Sequence, residues 1–351
     1  MRSKTLKRCV VPLLMLVAVV AAACSSSSSS STTTAAPATT AAAGSATTSG
    51  GSGSAKPLKV ALILPSATND LSFSQSMYAG LESLKSKFNL TITVSDNQFV
   101  VADAANLIRQ YASQGYDLVI AHGSQYGSTL QQLAPQFPKV AFAWGTAGST
   151  FNQPNIFAYQ INANEGGYAE GYMAALLSKS HVLGEIGPIN VGDGQLYADG
   201  FKAGVLAADP KANVHVTFTG SFSDVGLMAN AAKAFIADGA DVLTGSAQAV
   251  VGAIGVAKAQ NVAWFGNDWD QSSLAPSQVV ASNVYDWTGI LSQMLTAIDN
   301  GTLGGATYTA TLGNGGEKIQ FNSSYSLPDS VKTAGQKVID QITSGSLTVA
   351  Q

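Results

Sequence analysis

The chain has 351 residues, with 18 Lys and Arg against 21 Asp and Glu, a formal net charge of −3, and only two cysteines. Four of the basic residues lie within the first eight positions, and without them the balance is 14 basic to 21 acidic side chains, or −7. No basic run follows. This composition argues against nucleic-acid binding and against electrostatic docking on anionic lipid.

The first 24 residues are typical of a secretory leader. Basic residues precede the run from Val10 to Ala23, whose 14 residues are too few to span a bilayer. The run ends in VAAAC, which is similar to a bacterial lipobox, so we expect a lipid on Cys24 rather than plain cleavage without lipid. Because Cys9 leaves with the leader, no disulfide can form in the mature chain, and the folded part must depend on its core.

Residues 25–56 consist almost entirely of Ser, Thr, Ala and Gly. They lack the large apolar groups that would offset the entropy of ordering, so they predict a disordered tether with a reach of about 30 Å. The remaining 295 residues, from 57 to 351, are enough to bury a large core, and a chain of that length usually divides into two lobes.

Ten short, mostly apolar segments separated by helical patterns predict parallel strands that are covered on both faces. They span 58–64, 90–95, 117–123, 139–145, 155–161, 181–187, 213–219, 240–246, 261–267 and 278–284. About five precede residue 162 and about five follow it with the same rhythm. The pattern therefore predicts an α/β protein with two similar doubly wound lobes.

Two helix starts are predicted from local signals. Ser72 and Gln75 fit a capping box, which fixes the start of this helix at Ser72. One face of that helix is apolar, through Phe73, Met77, Leu81, Leu84 and Phe88. A second helix is predicted between Asp103, as its N-cap, and Gly115, as its stop.

The loops after the strands are rich in Gly, Ser, Asn, Asp and aromatic residues. In open parallel sheets, ligands bind beyond the carboxyl ends of the strands, so two facing lobes should form a cleft between these loops. The loops include PSATNDLSF (65–73), HGSQYG (122–127), WGTAG (144–148), GPINVGDG (187–194), GSFSD (220–224), GSAQAV (245–250) and GNDWDQ (266–271). Gly123, Ser124 and Gln248 are candidate ligand-binding residues among them.

Catalytic motifs are missing from the sequence. There is no G-x-S-x-G, G-x-x-x-x-G-K-[ST], G-x-G-x-x-G or H-E-x-x-H pattern, and we expect neither a cofactor nor a metal site. His122 lies near Ser124, but a structural His at a strand end is favoured over a His–Ser dyad. Asp268 and Asp270 allow a glycosidase interpretation, although accepting hydrogen bonds from a bound solute is the simpler role.

Four stretches in order resemble the basic membrane protein, or PnrA-like, family of ABC-transporter substrate-binding lipoproteins: NDLSFSQSMYAGL, NEGGYAEGYMAALL, YADGFKAGV and GSFSD. The resemblance runs from about residue 58 to the C-terminus. It implies a type I periplasmic-binding-protein fold, with two doubly wound lobes joined by a three-crossover hinge around a cleft. Lobe 1 would contain residues 57–162 and about 286–320, and lobe 2 would contain residues 163–285 and about 321–351.

The resemblance also implies the ligand class and several site residues. Characterised family members bind purine nucleosides or related purines, which stack on aromatic rings and meet carboxylates. By their place in the family motifs, these residues are Asn69, Asp70, Phe73, Asp268 and Asp270.

At two positions the chain departs from the family pattern. Ile254 stands where a second stacking Phe is common, and Tyr285 stands where a Lys is common. We therefore consider Trp144, Phe222 or Trp269 as a substitute second ring, although each is also a credible packing residue.

Together with the predicted lipid anchor, the resemblance implies a monomeric solute-binding protein on the extracytoplasmic face of a bacterial membrane. It also implies that the protein captures a purine nucleoside or nucleobase and delivers it to the permease of an ABC importer. Two alternatives stay open, a surface glycoside or nucleoside hydrolase and a ligand sensor without transport.

Overall fold

The computed structural model describes residues 57–351, which all belong to one compact unit. The predicted leader, the lipid-bearing Cys24 and the predicted tether lie outside the described residues. Between positions 57 and 351, none of the helices has the length and apolar character that crossing a membrane requires.

Strands and helices alternate along the described part of the chain. The strands are β1 (Leu58–Ile63), β2 (Leu90–Ser95), β3 (Leu118–Ala121), β4 (Ala141–Gly145), β5 (Ile156–Ile161), β6 (Val182–Gly187), β7 (Asn213–Phe218), β8 (Val242–Gly245), β9 (Ala263–Asp268), β10 (Val279–Tyr285), β11 (Thr307–Ala310) and β12 (Glu317–Phe321). The helices are α1 (Phe73–Ser83), α2 (Val101–Ser113), α3 (Gly127–Leu133), α4 (Ala163–Leu177), α5 (Gly192–Ala208), α6 (Val225–Ala237), α7 (Val251–Gln260), α8 (Thr288–Asp299) and α9 (Asp329–Thr343). The ten predicted strands correspond to β1 through β10.

The strands form two six-stranded sheets with equivalent strand orders. The first runs β2–β1–β3–β4–β5–β11, and all of its neighbouring strands are parallel. The second runs β7–β6–β8–β9–β10–β12 and is parallel except for β12, which pairs antiparallel with β10. Helices cover the sheets, so the predicted architecture of two doubly wound α/β lobes is confirmed.

We call the first sheet with α1, α2, α3 and α8 lobe 1, and the second sheet with the remaining helices lobe 2. The chain crosses between the lobes three times: at Asn162, at 286–287 and at 311–316. The third crossing corrects the expected boundary near residue 320, because β12 belongs to lobe 2. Buried or half-buried positions alternate with exposed ones along this edge strand, so it lacks the continuous apolar run that marks the inner strands.

Alternation along each strand gives both sheets two apolar faces. In β1, Val60 packs toward α1 and α8, while Ala61 packs toward α2 and α3. In lobe 2, Leu243 packs toward α6 and α7, while Phe265 packs toward α4 and α5. Because the faces are covered, the sheets are accessible mainly at the strand ends, and the carboxyl ends of both sheets meet at one cleft.

Helix α1 begins at Phe73 with Ser72 as its N-cap residue, but the predicted capping box is wrong. The Ser72 side chain makes no cap hydrogen bond. Oε1 of Gln75 accepts from the backbone N–H of Leu71, at 2.9 Å, rather than from that of Ser72. The start of the helix is held instead by the side chain of Asp70, which accepts hydrogen bonds from the backbone N–H groups of Ser72 and Gln75.

Helix α2 begins at Val101, two residues before the predicted N-cap, so Asp103 lies inside its first turn. A carboxylate there is still favourable, because the N-terminal end of a helix attracts negative charge. The helix ends at Ser113, and Gly115 follows with a φ of +70°, the left-handed conformation that suits glycine after a helix.

Candidate functional site

The carboxyl ends of the two sheets border a cleft with about 540 Å³ of empty space, counting the part that opens to solvent. The cleft is lined by six of the eleven candidate residues: Phe73, Gly123, Ser124, Phe222, Gln248 and Asp268. Other lining residues were not among the candidates, and of these Phe99, Gln125 and Asp193 carry an aromatic, amide or acidic group.

Phe73 belongs both to the core and to the cleft. Only 7% of its surface is exposed, yet the residue lines the cleft. Its ring stacks on the imidazole of His122, with centroids 3.8 Å apart and planes 11° from parallel. The indole of Trp287 approaches it nearly perpendicularly, with centroids 6.3 Å apart. These contacts fix the ring position before any ligand arrives.

His122 supports Phe73 through a fixed, neutral imidazole. Its Nε2 lies 3.2 Å from the carbonyl oxygen of Phe73, and its Nδ1 lies 2.8 Å from the hydroxyl of Tyr159. Because a carbonyl oxygen only accepts, Nε2 carries the hydrogen, and Nδ1 accepts from Tyr159. Burial lowers the pKa of His122 to about 3, so the ring is uncharged. Both nitrogens are occupied, which leaves neither for a dyad with Ser124.

Asp70 anchors the start of α1 and does not line the cleft. Its Oδ1 accepts from the backbone N–H groups of Ser72, at 2.9 Å, and Gln75, at 3.1 Å. Its Oδ2 accepts from the N–H of Ser74 at 3.2 Å. Burial raises the pKa of Asp70, and these hydrogen bonds act in the opposite direction. The side chain thus caps the helix that presents Phe73.

Ser72 joins the two lobes beside the cleft. Its hydroxyl lies 2.6 Å from Oδ2 of Asp268 and 3.3 Å from the carbonyl oxygen of Ala247, both in lobe 2. Nearby, Nε2 of Gln271 lies 3.5 Å from the carbonyl oxygen of Leu71. The loop before α1 therefore contacts lobe 2 directly.

Asp268 ends β9 with a φ of +71°, a conformation that is uncommon for residues other than glycine. Burial raises the pKa of Asp268 to about 7, and the carboxylates of Asp193 and Asp70 add to this effect. Hydrogen bonds from Ser72 and Tyr285 act against it. Near neutral pH, the carboxyl group can therefore accept a hydrogen bond when ionised or donate one when protonated.

Asp193 is a second acid of the cleft that the sequence analysis did not select. It lies in the first turn of α5, within the stretch GPINVGDG that follows β6. Although the residue is only half-buried, burial raises the pKa of its carboxyl to about 6, opposed by backbone hydrogen bonds that include Gly194. Its position beyond the carboxyl end of β6 is the sequence signal that could have identified it as a cleft residue.

Gln248 and Phe222 add an acceptor and a ring from lobe 2. Oε1 of Gln248 is buried and has no hydrogen-bond partner among the described residues. The backbone N–H of Ala249 donates to the carbonyl oxygen of Phe222 at 3.1 Å, which ties the two loops together. An unpaired buried acceptor is costly, so Gln248 suits a ligand that brings an N–H or O–H donor. Of the three rings considered as a second stacking partner, Phe222 alone lines the cleft.

Three candidates lie elsewhere in their loops and strands. Asn69 is exposed, and neither it nor the half-buried Trp269 lines the cleft. Trp144 stacks on Phe151, with ring centroids 4.7 Å apart and planes 15° from parallel, on the α2 and α3 side of the first sheet. That side chain therefore packs against its own lobe.

The two acids of GNDWDQ are separated by the fold. Asp268 lines the cleft, whereas Oδ1 of Asp270 accepts from the N–H of Ser272 at 2.9 Å. Oδ2 of Asp270 accepts from Nε2 of Gln320 at 2.6 Å, which joins this loop to β12. The fold therefore does not bring this pair together at the cleft as a glycosidase mechanism would require.

The two departures from the family pattern have different surroundings. Ile254 packs in the core of lobe 2 with α6 and does not line the cleft. Tyr285 is buried at the end of β10, and burial raises its pKa well above the usual value, so its hydroxyl stays protonated. It hydrogen-bonds to Asp268, and its oxygen accepts from Nδ2 of Asn267 at 3.0 Å.

The charge of the cleft is acidic. Asp193 and Asp268 line it, and no Lys, Arg or His does so among residues 57–351. A phosphate group would need cationic partners or a cluster of N–H groups, so this lining favours neutral or cationic solutes. No three His, Cys, Asp or Glu side chains of the described chain come together as metal ligands.

Two α/β lobes, three crossings and a cleft between strand ends define the class of two-lobed α/β proteins with a type I periplasmic-binding-protein fold. The family model described as ABC transporter substrate-binding protein, PnrA-like (Bmp), matches residues 58–347. The chain therefore belongs to this family, which consists of substrate-binding proteins rather than enzymes.

Individual relatives agree with this assignment. The chain is 28% identical to a purine-binding protein of Brucella abortus (strain 2308) over 255 residues, covering 73% of this chain and 71% of that protein. It is 28% identical to the ABC transporter nucleoside-binding protein BmpA of Lactococcus lactis subsp. cremoris (strain MG1363) over 324 residues, covering 85% and 91%. A solved ABC transporter solute-binding protein from Conexibacter woesei superposes with a TM-score of 0.69 at 25% identity, covering 84% of this chain and 98% of that one.

Proposed function

We propose that this protein captures a purine nucleoside or nucleobase in its inter-lobe cleft and delivers it to an ABC importer. The names of the purine-binding and nucleoside-binding relatives support this ligand class. The chemistry of the cleft supports it independently, through its aromatic rings, its hydrogen-bonding groups and its charge.

The aromatic rings suit a flat heterocycle. Phe73 is held from behind by His122 and Trp287, so it can stack against a purine without losing further side-chain entropy. Such stacking contributes about 0.5–1.5 kcal/mol beyond the burial of area. Phe222 brings a second ring from the opposite lobe.

The polar groups suit a solute with several donors. Gln248 offers a buried acceptor without a partner, and the carboxyl groups of Asp193 and Asp268 accept from N–H or O–H groups. A nucleoside carries N–H donors on its base and hydroxyl donors on its ribose. The observation that carries the proposal is this unpartnered acceptor of Gln248 in the same cleft as the supported ring of Phe73.

The charge of the cleft favours a nucleoside or base over a nucleotide. Two acids line the cleft without a Lys, Arg or His among the described residues, so a 5′-phosphate would meet repulsion rather than a counter-charge. The same acids would attract a solute with a protonated or strongly polarised amine.

The membrane location of the protein is part of the same proposal. A lipid on Cys24 and the Ser-rich tether would hold a monomeric binding domain on the extracytoplasmic face of the membrane, within reach of the permease. Replacing Cys24 by Ala should move the protein from the membrane fraction to the soluble fraction. Full retention in the membrane fraction would contradict the lipid anchor.

A combined binding and turnover assay tests the function. The purified full-length protein is incubated with a panel of purine and pyrimidine nucleosides, while melting temperature and free base are both followed. We expect a rise in melting temperature with purine nucleosides and no release of base. Multiple-turnover release of base would support the hydrolase alternative instead, and no stabilisation by any purine would remove the proposed ligand class.

A further inference from the structure

A line of buried amide and carboxyl side chains runs from the cleft into lobe 2. Nδ2 of Asn267 donates to Oδ1 of Asp268 at 2.9 Å and to the hydroxyl of Tyr285 at 3.0 Å. Nδ2 of Asn283 donates to Oδ1 of Asn267 at 3.1 Å and to Oε2 of Glu317 at 2.9 Å. Asn267 and Asn283 are register partners on β9 and β10, which places them side by side. We call Asn267, Asn283 and Glu317 the polar relay.

The hydrogen bonds of the polar relay fix the orientation of both amides. Each amide has two N–H donors, and in both residues the two donors are used. If the Asn283 amide were reversed, its oxygen would face the acceptors of Asn267 and Glu317. The acceptor on Glu317 therefore orients Asn283, which in turn makes Asn267 present its N–H to Asp268.

The polar relay, with Tyr285 as the hydrogen-bond partner of Asn267, lies next to all three crossings between the lobes. Tyr285 directly precedes the second crossing, and Glu317 directly follows the third. Oε2 of Glu317 accepts from the backbone N–H of Gly166 at 3.2 Å, in the helix that begins just after the first crossing. A change in the angle between the lobes would thus act on the same hydrogen bonds that hold Asp268.

Glu317 itself does not touch the solute site, because it is buried and does not line the cleft. We propose that Glu317 is a positioning residue for solute capture, which holds the carboxyl group of Asp268 through the polar relay and couples it to the crossings between the lobes. The effect on solute affinity rests on the proposed function, whereas the effect on Asp268 does not.

Three substitutions separate this role from ordinary packing. Glu317→Leu removes the acceptor, while Glu317→Gln keeps a carbonyl oxygen that can accept at the same place. Glu185→Leu is the matched control, because Glu185 is also fully buried in lobe 2 but has no hydrogen-bond partner for either oxygen among the described residues. Circular dichroism and melting temperature establish that each variant is folded.

Two measurements on the full-length protein are compared. Carboxyl ¹³C NMR follows the titration of Asp268, with Asp268→Asn for assignment, and calorimetry measures the affinity for inosine as a probe. The ionisable groups that face Asp268 are Asp70, Asp193 and Tyr285, and these substitutions retain all of them.

The polar relay predicts distinct results for the three variants. Glu317→Leu should raise the titration midpoint of Asp268 by about half a pH unit or more, because N–H donors favour the ionised form. It should also weaken inosine binding about tenfold. Glu317→Gln should restore both values toward wild type, and Glu185→Leu should change neither.

An unchanged Asp268 midpoint in Glu317→Leu, or an equal shift in Glu185→Leu, would overturn the proposal. If wild-type protein does not bind inosine, the proposed ligand class fails for this probe, while the NMR titration still decides the role of Glu317. If Glu317→Leu does not fold, Asn283→Ala breaks the same relay and is judged by the same midpoint shift.

Discussion

The two lobes bring different chemistry to the cleft. Lobe 1 provides Phe73, supported by the neutral His122, together with the small residues Gly123 and Ser124. Lobe 2 provides the acids Asp193 and Asp268 and the unpartnered amide oxygen of Gln248. The comparison indicates that lobe 1 gives a rigid stacking surface, while lobe 2 gives the hydrogen bonds and the response to pH. A solute that uses both lobes would favour their closure.

The largest expected effect comes from removing the ring of lobe 1. Phe73→Ala should destabilise the protein by about 3–5 kcal/mol, because it leaves a cavity beside His122 and Trp287. The folded protein should also bind purine nucleosides more weakly. Denaturant unfolding and calorimetry at a temperature where the variant is folded measure the two effects separately. Lost stability with unchanged affinity would make Phe73 a core residue only.

A pH titration examines the acids of lobe 2. In the folded protein the pKa of Asp268 is about 7, well above that of an unfolded Asp, so the native state binds the additional proton between about pH 4 and pH 7. Protonation of Asp268 therefore adds to the free energy of unfolding. This stabilisation is fully present below pH 4 and is lost as pH rises through 7, with an upper limit of about 4 kcal/mol.

In unfolding experiments from pH 4 to pH 8, wild type should therefore lose stability relative to Asp268→Asn as pH increases. Burial lowers the pKa of His122 to about 3, so His122 contributes in the opposite direction below about pH 6.5, and the raised pKa of Asp193 contributes in the same direction. Both groups are present in the two proteins, so the comparison isolates Asp268. An identical pH profile for wild type and Asp268→Asn would show that Asp268 is not the group responsible.

The ligand-binding role of lobe 2 is tested by Asp268→Asn in a binding assay. Losing hydrogen bonds to a charged acceptor costs about 1.5–3 kcal/mol, so nucleoside affinity should fall about 10- to 100-fold. Asp270→Asn is the matched control, because this neighbouring acid is bound to Ser272 and Gln320 outside the cleft. Equal losses in both variants would contradict the separation of the two acids.

The smallest effect is expected from Trp144 in lobe 1. Trp144→Phe should leave nucleoside affinity unchanged, because the indole stacks on Phe151 away from the cleft. Its cost in stability should be about 1 kcal/mol. A loss of affinity comparable to that of Asp268→Asn, measured in the same calorimetric titration, would mean that Trp144 reaches the solute.

Most of the fold could be predicted because the inner strands are continuous apolar runs. The edge strands β11 and β12 could not, since neither has an apolar run: each has one buried position, and its other positions are half-buried or exposed. The position of Phe73 followed from the apolar face of α1, which periodicity reveals. The side of the sheet that Trp144 faces could also have been predicted from sequence. Trp144 lies two residues after the buried Phe142 on β4, and residues i and i+2 of a strand share a face.

The roles of the aspartates at the candidate site could not be predicted from sequence in the same way. Asp70, Asp268 and Asp270 are the same residue type and all lie at or after the carboxyl end of a strand, yet one caps a helix, one lines the cleft and one binds a neighbouring strand. These roles depend on loop geometry, such as the positive φ of Asp268, which sequence patterns do not determine. Asp193 was missed for the same reason.

The most direct test of the account is a calorimetric titration of the wild-type protein with inosine and with inosine 5′-monophosphate. The aromatic ring of lobe 1 and the acids of lobe 2 predict one nucleoside bound per chain, with the monophosphate binding at least about tenfold more weakly. Equal or tighter binding of the monophosphate, or no binding of any purine nucleoside or base, would contradict the account.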